Sequence, residues 1–156
     1  MSNRKYDVRD KIIKRPDYKH ILKAIKANMA DLDNRQLVDT LFSVGKLHKH
    51  PIPPEIAEES RLFPFFNHLV GDFLEQATSR VTELGPQEIA YFLKGVTHLH
   101  KVVGSEPDLV EKEQKFREQL LAHLNTDHEK VRAFDPYVIS KVLRYLLRYN
   151  DGGAEA

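Results

Sequence analysis

Apolar side chains recur at steps of three and four along most of the chain, the rhythm of helices with one buried face. From Pro16, a helix over 17–29 places Ile21, Leu22, Ile25 and Met29 on one side. Asp33-Asn34-Arg35-Gln36 has the spacing of a capping box and opens a second helix over 34–48, with Leu37, Leu41, Val44 and Leu47 as its stripe. Pro51, Pro53 and Pro54 end that element. The stretch 54–80 reads as helical with an interruption at Pro64, and its second half carries Phe66, Leu69, Val70, Phe73, Leu74 and Ala77, a stripe that continues to Val81. Gly85-Pro86 resets the chain, and a fourth helix over 86–101 turns Ile89, Phe92, Leu93, Val96 and Leu99 inward before Gly104 to Pro107 breaks it. A fifth helix over 108–124 buries Leu109, Phe116, Leu120 and Leu124. The sixth, over 136–149, starts at a cap followed by proline, Asp135-Pro136, and directs Ile139, Val142, Leu143 and Leu146 to the core. Strand signals are scarce, the one Asp-Gly pair being Asp151-Gly152 near the end of the chain.

Laying these helices over one another brings out a recurrence. At an offset of 52 residues, Leu41, Val44, Leu47, His48 and Lys49 coincide with Leu93, Val96, Leu99, His100 and Lys101, five identities in the fourteen positions from Gln36 to Lys49. At a further offset of 50, Ile89 meets Ile139, Leu93 meets Leu143 and Val96 meets Leu146. A helical hairpin repeated in this way cannot cover both of its faces alone and must stack on its neighbours. The expected fold is therefore all-α, a short right-handed-type α-solenoid of hairpin repeats of about fifty residues. It divides into a basic arm at 1–16, a repeat domain at 17–149 (units near 32–83 and 84–133, and a partial one at 134–149) and a flexible polar tail at 150–156.

The unit openings Leu32-Asp33-Asn34-Arg35-Gln36-Leu37-Val38, Leu84-Gly85-Pro86-Gln87-Glu88-Ile89-Ala90 and Phe134-Asp135-Pro136-Tyr137-Val138-Ile139-Ser140 resemble those of the FAST-kinase-like, octotricopeptide and heptatricopeptide helical repeats. The helix endings Leu41 to Leu47 and Leu93 to Leu99 are similar to that group as well. The resemblance covers 32–149. It implies a protein of an organelle, in RNA processing, translation or the mitoribosome, and hence a mitochondrial location, with a cytoplasmic one as the alternative. A unit of about fifty residues exceeds the usual one in those families, and no terminal nuclease-like domain is present in the sequence, which argues against base-by-base reading of RNA.

Composition narrows the chemistry. The chain of 156 residues has no Cys, which removes disulfides, thiolate metal sites and cysteine nucleophiles together. Its formal net charge of +1 conceals strong local differences, with 12 basic and 6 acidic groups in residues 1–50, 7 and 14 in 51–129, and 5 and 3 in 130–156. A sequence pI near 8.0 falls short of a broadly basic nucleic-acid binder, so any phosphate contact has to be local. The first thirty residues are Lys-rich with a single Ser and with Asp7, Asp10 and Asp17, a poor match to a transit peptide, and no apolar run suits membrane insertion.

Candidate sites are few. His48-Lys49-His50 and His98-Leu99-His100 place two histidines about 200° apart on a helix, so neither pair shares one ion, and the expectation is no metal and no cofactor. Near the end of a helix these side chains suit its dipole. The acidic pairs Glu58-Glu59 and Glu111-x-Glu113 lack a nucleophile motif, there is no Gly-rich phosphate loop, and no enzyme is expected. Phe63-Pro64-Phe65-Phe66 suits the core better than base stacking.

Two functions remain open. As an RNA-associated subunit, the chain would meet phosphates through Lys11, Lys14, Arg15 and Lys19 of the basic amino-terminal block, and through Lys46, Lys49, Lys94, Lys101, Lys141, Arg144 and Arg148 of the repeated helices. As a scaffold of a mitochondrial multiprotein complex, such as a respiratory or ATP synthase assembly, it would bind only other protein subunits. The resemblance favours the first, a non-catalytic accessory subunit of an organellar ribonucleoprotein with protein and RNA contacts.

Overall fold

The computed structural model describes residues 11–12, 15–49 and 62–155, with the side chains of 62–64, 105 and 148–155 outside the description. The fold is all-α, and the described residues contain no strand. The elements are α1 (Pro16–Ala27), a 3-10 turn at Met29–Asp31, α2 (Asn34–Leu47), α3 (Leu62–Ser79), α4 (Pro86–His98), α5 (His100–Ser105), α6 (Pro107–Thr126), α7 (His128–Arg132) and α8 (Pro136–Glu155).

Local chemistry sets the starts of α2, α4 and α8. Asp33 Oδ1 accepts from the Gln36 amide (2.7 Å), and the Gln36 side chain accepts from the Asp33 amide (2.9 Å), satisfying two N–H groups that the first turn leaves over. Gly85 has no side chain to offer, so only the returning half of that pattern exists at α4, from the Gly85 amide to Glu88 Oε1 (2.9 Å). At α8, Asp135 Oδ1 accepts from the Val138 amide (2.8 Å). Pro86, Pro107 and Pro136 each open a helix, where the missing N–H costs no helical hydrogen bond.

Two rows of helices result. In one, α2 packs on α4 and α4 on α8; in the other, α1 packs on α3 and α3 on α6. The α2/α4 crossing is tight because glycines meet there: a Cβ on Gly45 would lie 2.9 Å from the Gly95 carbonyl oxygen, and one on Gly95 would lie 3.0 Å from Leu41 Cγ. Aromatic contacts join the rows. Phe92 of α4 meets Phe116 of α6 (centroids 4.9 Å), and Phe116 meets Tyr145 of α8 (6.4 Å). The hairpin ends close in parallel ways. Arg80, just past α3, donates to the carbonyls of Leu32 (2.5 Å) and Ala30 (3.2 Å) ahead of α2, and Lys130, fifty residues on, donates to the Thr82 carbonyl (3.4 Å) ahead of α4.

Several expectations need correction. Ile21 is exposed, and Tyr18 takes the core place on α1 beside Leu22. The helix expected over 86–101 ends at His98, since Leu99 adopts a non-helical ψ of 13°, and the short α5 follows. An additional helix, α7, precedes Phe134, capped by Asp127 Oδ1 on the Lys130 amide (3.0 Å). Helix α3 is continuous from Leu62 through Pro64, with no break at the proline; residues 54–61 lie outside the described residues. The tail expected at 150–156 is drawn into α8 as far as Glu155.

The largest change is on α8, where Val138, Val142 and Tyr145 are buried while Ile139 and Leu143 are exposed. The helix is rotated relative to the expected stripe because the Tyr145 ring reaches Phe116, and its Oη donates to the buried carboxyl of Glu113 on α6. Burial pushes the Glu113 pKa up, opposed by the Tyr145 hydrogen bond and by Arg117. His48, expected at a helix end, is buried as well: it is the C-cap of α2, shares a 2.5 Å hydrogen bond with Tyr18 Oη and stacks on Phe66 (4.0 Å).

Candidate nucleic-acid interface

The tight α2/α4 crossing creates a basic and aromatic surface. Phe42 and Lys46 are one turn apart on α2, and the small residues at 45 and 95 let α4 come close enough for Lys94 to share the same ring. The ammonium groups of Lys46 and Lys94 stand 5.4 Å and 5.3 Å from the Phe42 centroid, within cation–π range. His98 and Tyr91 flank this ring, each with its centroid 5.8 Å away. Arg35 lies over Tyr91 at 5.7 Å, its charge offset by Asp39 at 2.9 Å.

Beside this cluster an open groove of about 480 Å³ runs between α4 and α8, with Leu93, Lys94, Thr97 and His98 on one wall and Lys141, Arg144, Tyr145 and Leu147 on the other. The His98 pKa is held below the usual histidine value, first by partial burial and then by the positive charges of Lys49, Lys94, Lys46 and Lys141. Among the described residues, the charged groups that shift this imidazole most are lysines. Three helical cations, Lys46, Lys94 and Lys141, and Lys49 just past the end of α2 thus act on one half-buried ring that accepts a proton reluctantly. An anion placed there would relieve both the lysine repulsion and the penalty on imidazolium.

A second groove, of about 430 Å³, separates α3 from α6 and is lined by Glu75, Thr78, Ser79, Asp108, Glu111, Lys112 and Lys115. Lys112 bridges Glu75 (3.1 Å) and Asp108 (3.3 Å). Burial pulls its pKa down, but the two carboxylates outweigh that and hold it above the ordinary lysine value.

Of the candidate phosphate contacts, Lys46, Lys49, Lys94, Lys141 and Arg144 come together around His98 and the α4/α8 groove. Lys101 is exposed on α5, outside the groove lining. In the arm, Lys11 is exposed and Arg15 forms a two-pronged pair with Asp17 (3.0 Å for each hydrogen bond), while Lys19 lies half-buried on α1. Lys14 and the Arg148 side chain lie outside the described residues. Sequence reasoning passed over Phe42 and read His98 only as a side chain suited to a helix end. The Phe42/Lys46 spacing on one helix was the available signal for the first, whereas the pairing of Phe42 with Lys94 depends on a crossing that no local pattern encodes.

Among the described residues, no three His, Asp or Glu side chains are placed to hold a metal ion. Of the acidic pairs, Glu58-Glu59 lies outside the described residues, while Glu111 is exposed and Glu113 is buried against Tyr145. Phe66 is core, as the sequence suggested, and Phe65 is half-buried against it. Among the described residues, no helix is long and apolar enough to cross a membrane. No known family model, curated protein or solved structure matches the chain.

Proposed function

We propose that the protein is a non-catalytic helical-repeat subunit that grips RNA phosphates along the α2–α4–α8 row, as an accessory part of an organellar ribonucleoprotein. One observation carries the phosphate reading: Lys46 and Lys94 converge on the Phe42 ring, and Lys94, Lys141 and Arg144 line the groove beside it, which has no carboxylate in its lining. The flanking Phe42 ring is a surface on which a base could stack, so charge and stacking coincide in the manner of single-strand binding. The organellar, mitochondrial setting rests on the resemblance of the unit openings alone.

A short right-handed-type solenoid is the architecture that best accounts for this row. Its support is the recurrence of helix starts behind Asp33, Gly85 and Asp135, the row contacts, and the matching reach of Arg80 and Lys130 back to the preceding loop. In such an array each unit adds a similar helix to one surface, so cations at related positions line up.

Titration of single-stranded RNA against salt tests this function. The log–log slope should be about −0.7 per phosphate neutralised, and Lys46, Lys94 and Lys141 replaced together by Gln should flatten it by roughly 2 while weakening unrelated sequences alike. Replacing Lys112 and Lys115 by Gln in the acidic groove should leave binding unchanged. An unchanged slope in the triple variant would reject the groove as the phosphate site, and no RNA binding at low salt would leave the scaffold reading in its place.

A further inference from the structure

Helix α7 buries none of its five side chains, so polar contacts hold it in place. Lys130 supplies three of them. Its amide donates to Asp127 Oδ1 (3.0 Å), and its Nζ reaches the Thr82 carbonyl (3.4 Å) and Nε2 of His123 on the last turn of α6 (2.8 Å). While Nζ is an ammonium it can only donate, so His123 Nε2 receives with its lone pair, and the ring is the neutral tautomer with its proton on Nδ1. Arg80, at the equivalent place fifty residues earlier, is set among oxygens alone: the carbonyls of Leu32 and Ala30, Asn34 Oδ1 (3.4 Å) and Gln76 Oε1 (3.0 Å). None of those atoms takes up a proton near neutral pH, whereas an imidazole does.

Other lysines have partners of a different kind. Lys26 and Lys112 face carboxylates, and Lys46, Lys94 and Lys141 lie over aromatic rings, partners that hold an ammonium without competing for its proton at neutral pH. Among the described residues, no carboxylate ion-pairs with Lys130 Nζ: Asp127 Oδ1 accepts from the Lys130 amide, and Glu88 Oε1 accepts from the Gly85 amide. Burial pulls the Lys130 pKa down, against the more distant attraction of Asp127 and Glu88. The His123 pKa is lowered too, first by burial and then by Lys130, with Asp127 opposing, so the ring stays neutral and able to accept a proton. Lys130 is only half-buried, and Thr82 beside it is exposed, which leaves the amine within reach of a reagent.

We propose that Lys130 is an acylation site: its amine, with His123 Nε2 beside it as the proton acceptor, takes an acyl group from a thioester ahead of the exposed lysines. The ammonium first loses one proton to water. The nitrogen lone pair then forms an N–C bond to the thioester carbonyl carbon, a second proton passes from nitrogen to His123 Nε2, and the C–S bond breaks to release a thiolate. The imidazolium returns its proton to that thiolate, which leaves as the thiol. The resulting amide has one N–H and no charge, so it can keep His123 or the Thr82 carbonyl but not both, and α7 loses one of its ties. This modification goes beyond the RNA reading and does not depend on it, since neither Lys130 nor His123 lines the α4/α8 groove.

The test exposes the full chain to acetyl-coenzyme A without any enzyme and follows each lysine by site-resolved mass spectrometry. At neutral pH, Lys130 should be acetylated at least about fivefold faster than the exposed Lys23 and Lys101. That ratio should shrink as pH rises, because the exposed lysines gain free amine over a range where Lys130 has already lost its proton. His123→Gln, which keeps an acceptor but not a base, should bring Lys130 to within about twofold of Lys101, and added free imidazole should restore part of the difference. Thermal unfolding of the variant controls for folding; if it does not fold, the ratio and its pH dependence in the parent protein decide. A Lys130 rate no greater than that of Lys101, a ratio that does not change with pH, or an undiminished ratio in folded His123→Gln would overturn the proposal.

Discussion

In the α2–α4–α8 row, Gly45 lies against the backbone of Gly95, whereas in the α3/α6 contact Gly71 faces the far end of a side chain, with Lys112 Nζ 3.0 Å from where its Cβ would be. The grooves alongside differ as well: Lys94, Lys141 and Arg144 line one, and Glu75, Asp108 and Glu111 line the other. Both rows bury leucines and phenylalanines to the same degree, so the frames are alike and the linings opposite. The net charge of +1 averages over these differences: one lining carries three cations and no carboxylate, while the other sets three carboxylates against Lys112 and Lys115.

The largest effects expected are those that show the frames to be equal. Leu93→Ala in the basic row and Leu109→Ala in the acidic row each remove a fully packed side chain and should cost about 2–5 kcal/mol in denaturant unfolding. If one of the two costs less than about half a kcal/mol, the rows do not share a common core. The glycines sharpen the difference. A methyl at position 45 would sit 2.9 Å from a backbone oxygen that cannot move without shifting α4, so Gly45→Ala should destabilise by about 1–3 kcal/mol. At position 71 the opposing atom is the tip of a flexible lysine, and Gly71→Ala should be neutral or gain up to about 1 kcal/mol from helix propensity. Equal losses at both positions in thermal melts would contradict this account of the two contacts.

The smallest effect concerns pH and touches only the basic lining. Because burial and the four lysines hold the His98 pKa down, the fold favours the neutral ring, and stability is lost as pH falls through the ordinary histidine value toward the depressed one. A bound phosphate favours the charged ring instead, so RNA affinity should rise as pH falls, by less than about tenfold. His98→Gln should remove the affinity trend and reduce the stability trend, part of which remains because burial and Lys130 hold the His123 pKa down as well. Affinity measured at several pH values, with parallel melts of the free protein, checks the sign: a rise that persists unchanged in the variant would place the responsible proton elsewhere.

Much of the frame was legible beforehand. The stripe from Phe66 to Ala77 on α3, and Ile89, Phe92, Leu93 and Val96 on α4, are buried as the 3.6-residue period requires, because each of these helices is covered on a broad face. Ile21, Ile139 and Leu143 broke the rule. Periodicity says that a helix has an apolar side but does not say whether a neighbour covers all of it, and on α8 the Tyr145 contacts with Phe116 and Glu113 decide which part faces inward. The candidate residues divide in the same way: the lysines of the repeated helices can be listed from the sequence, but not the Phe42 ring on which Lys46 and Lys94 converge.

Cap residues, proline positions and apolar spacing act over a few residues of chain, and these alone determined that the protein is helical and where α2, α4 and α8 begin. The gathering of Lys46, Lys49, Lys94 and Lys141 around His98, the burial of His48 beneath Tyr18, and the exposure of Ile139 and Leu143 on α8 were decided only in three dimensions. The physical reason is range. A cap or a stripe is written in adjacent turns, whereas a field at one imidazole sums charges whose separation is set by how closely two backbones approach at Gly45 and Gly95.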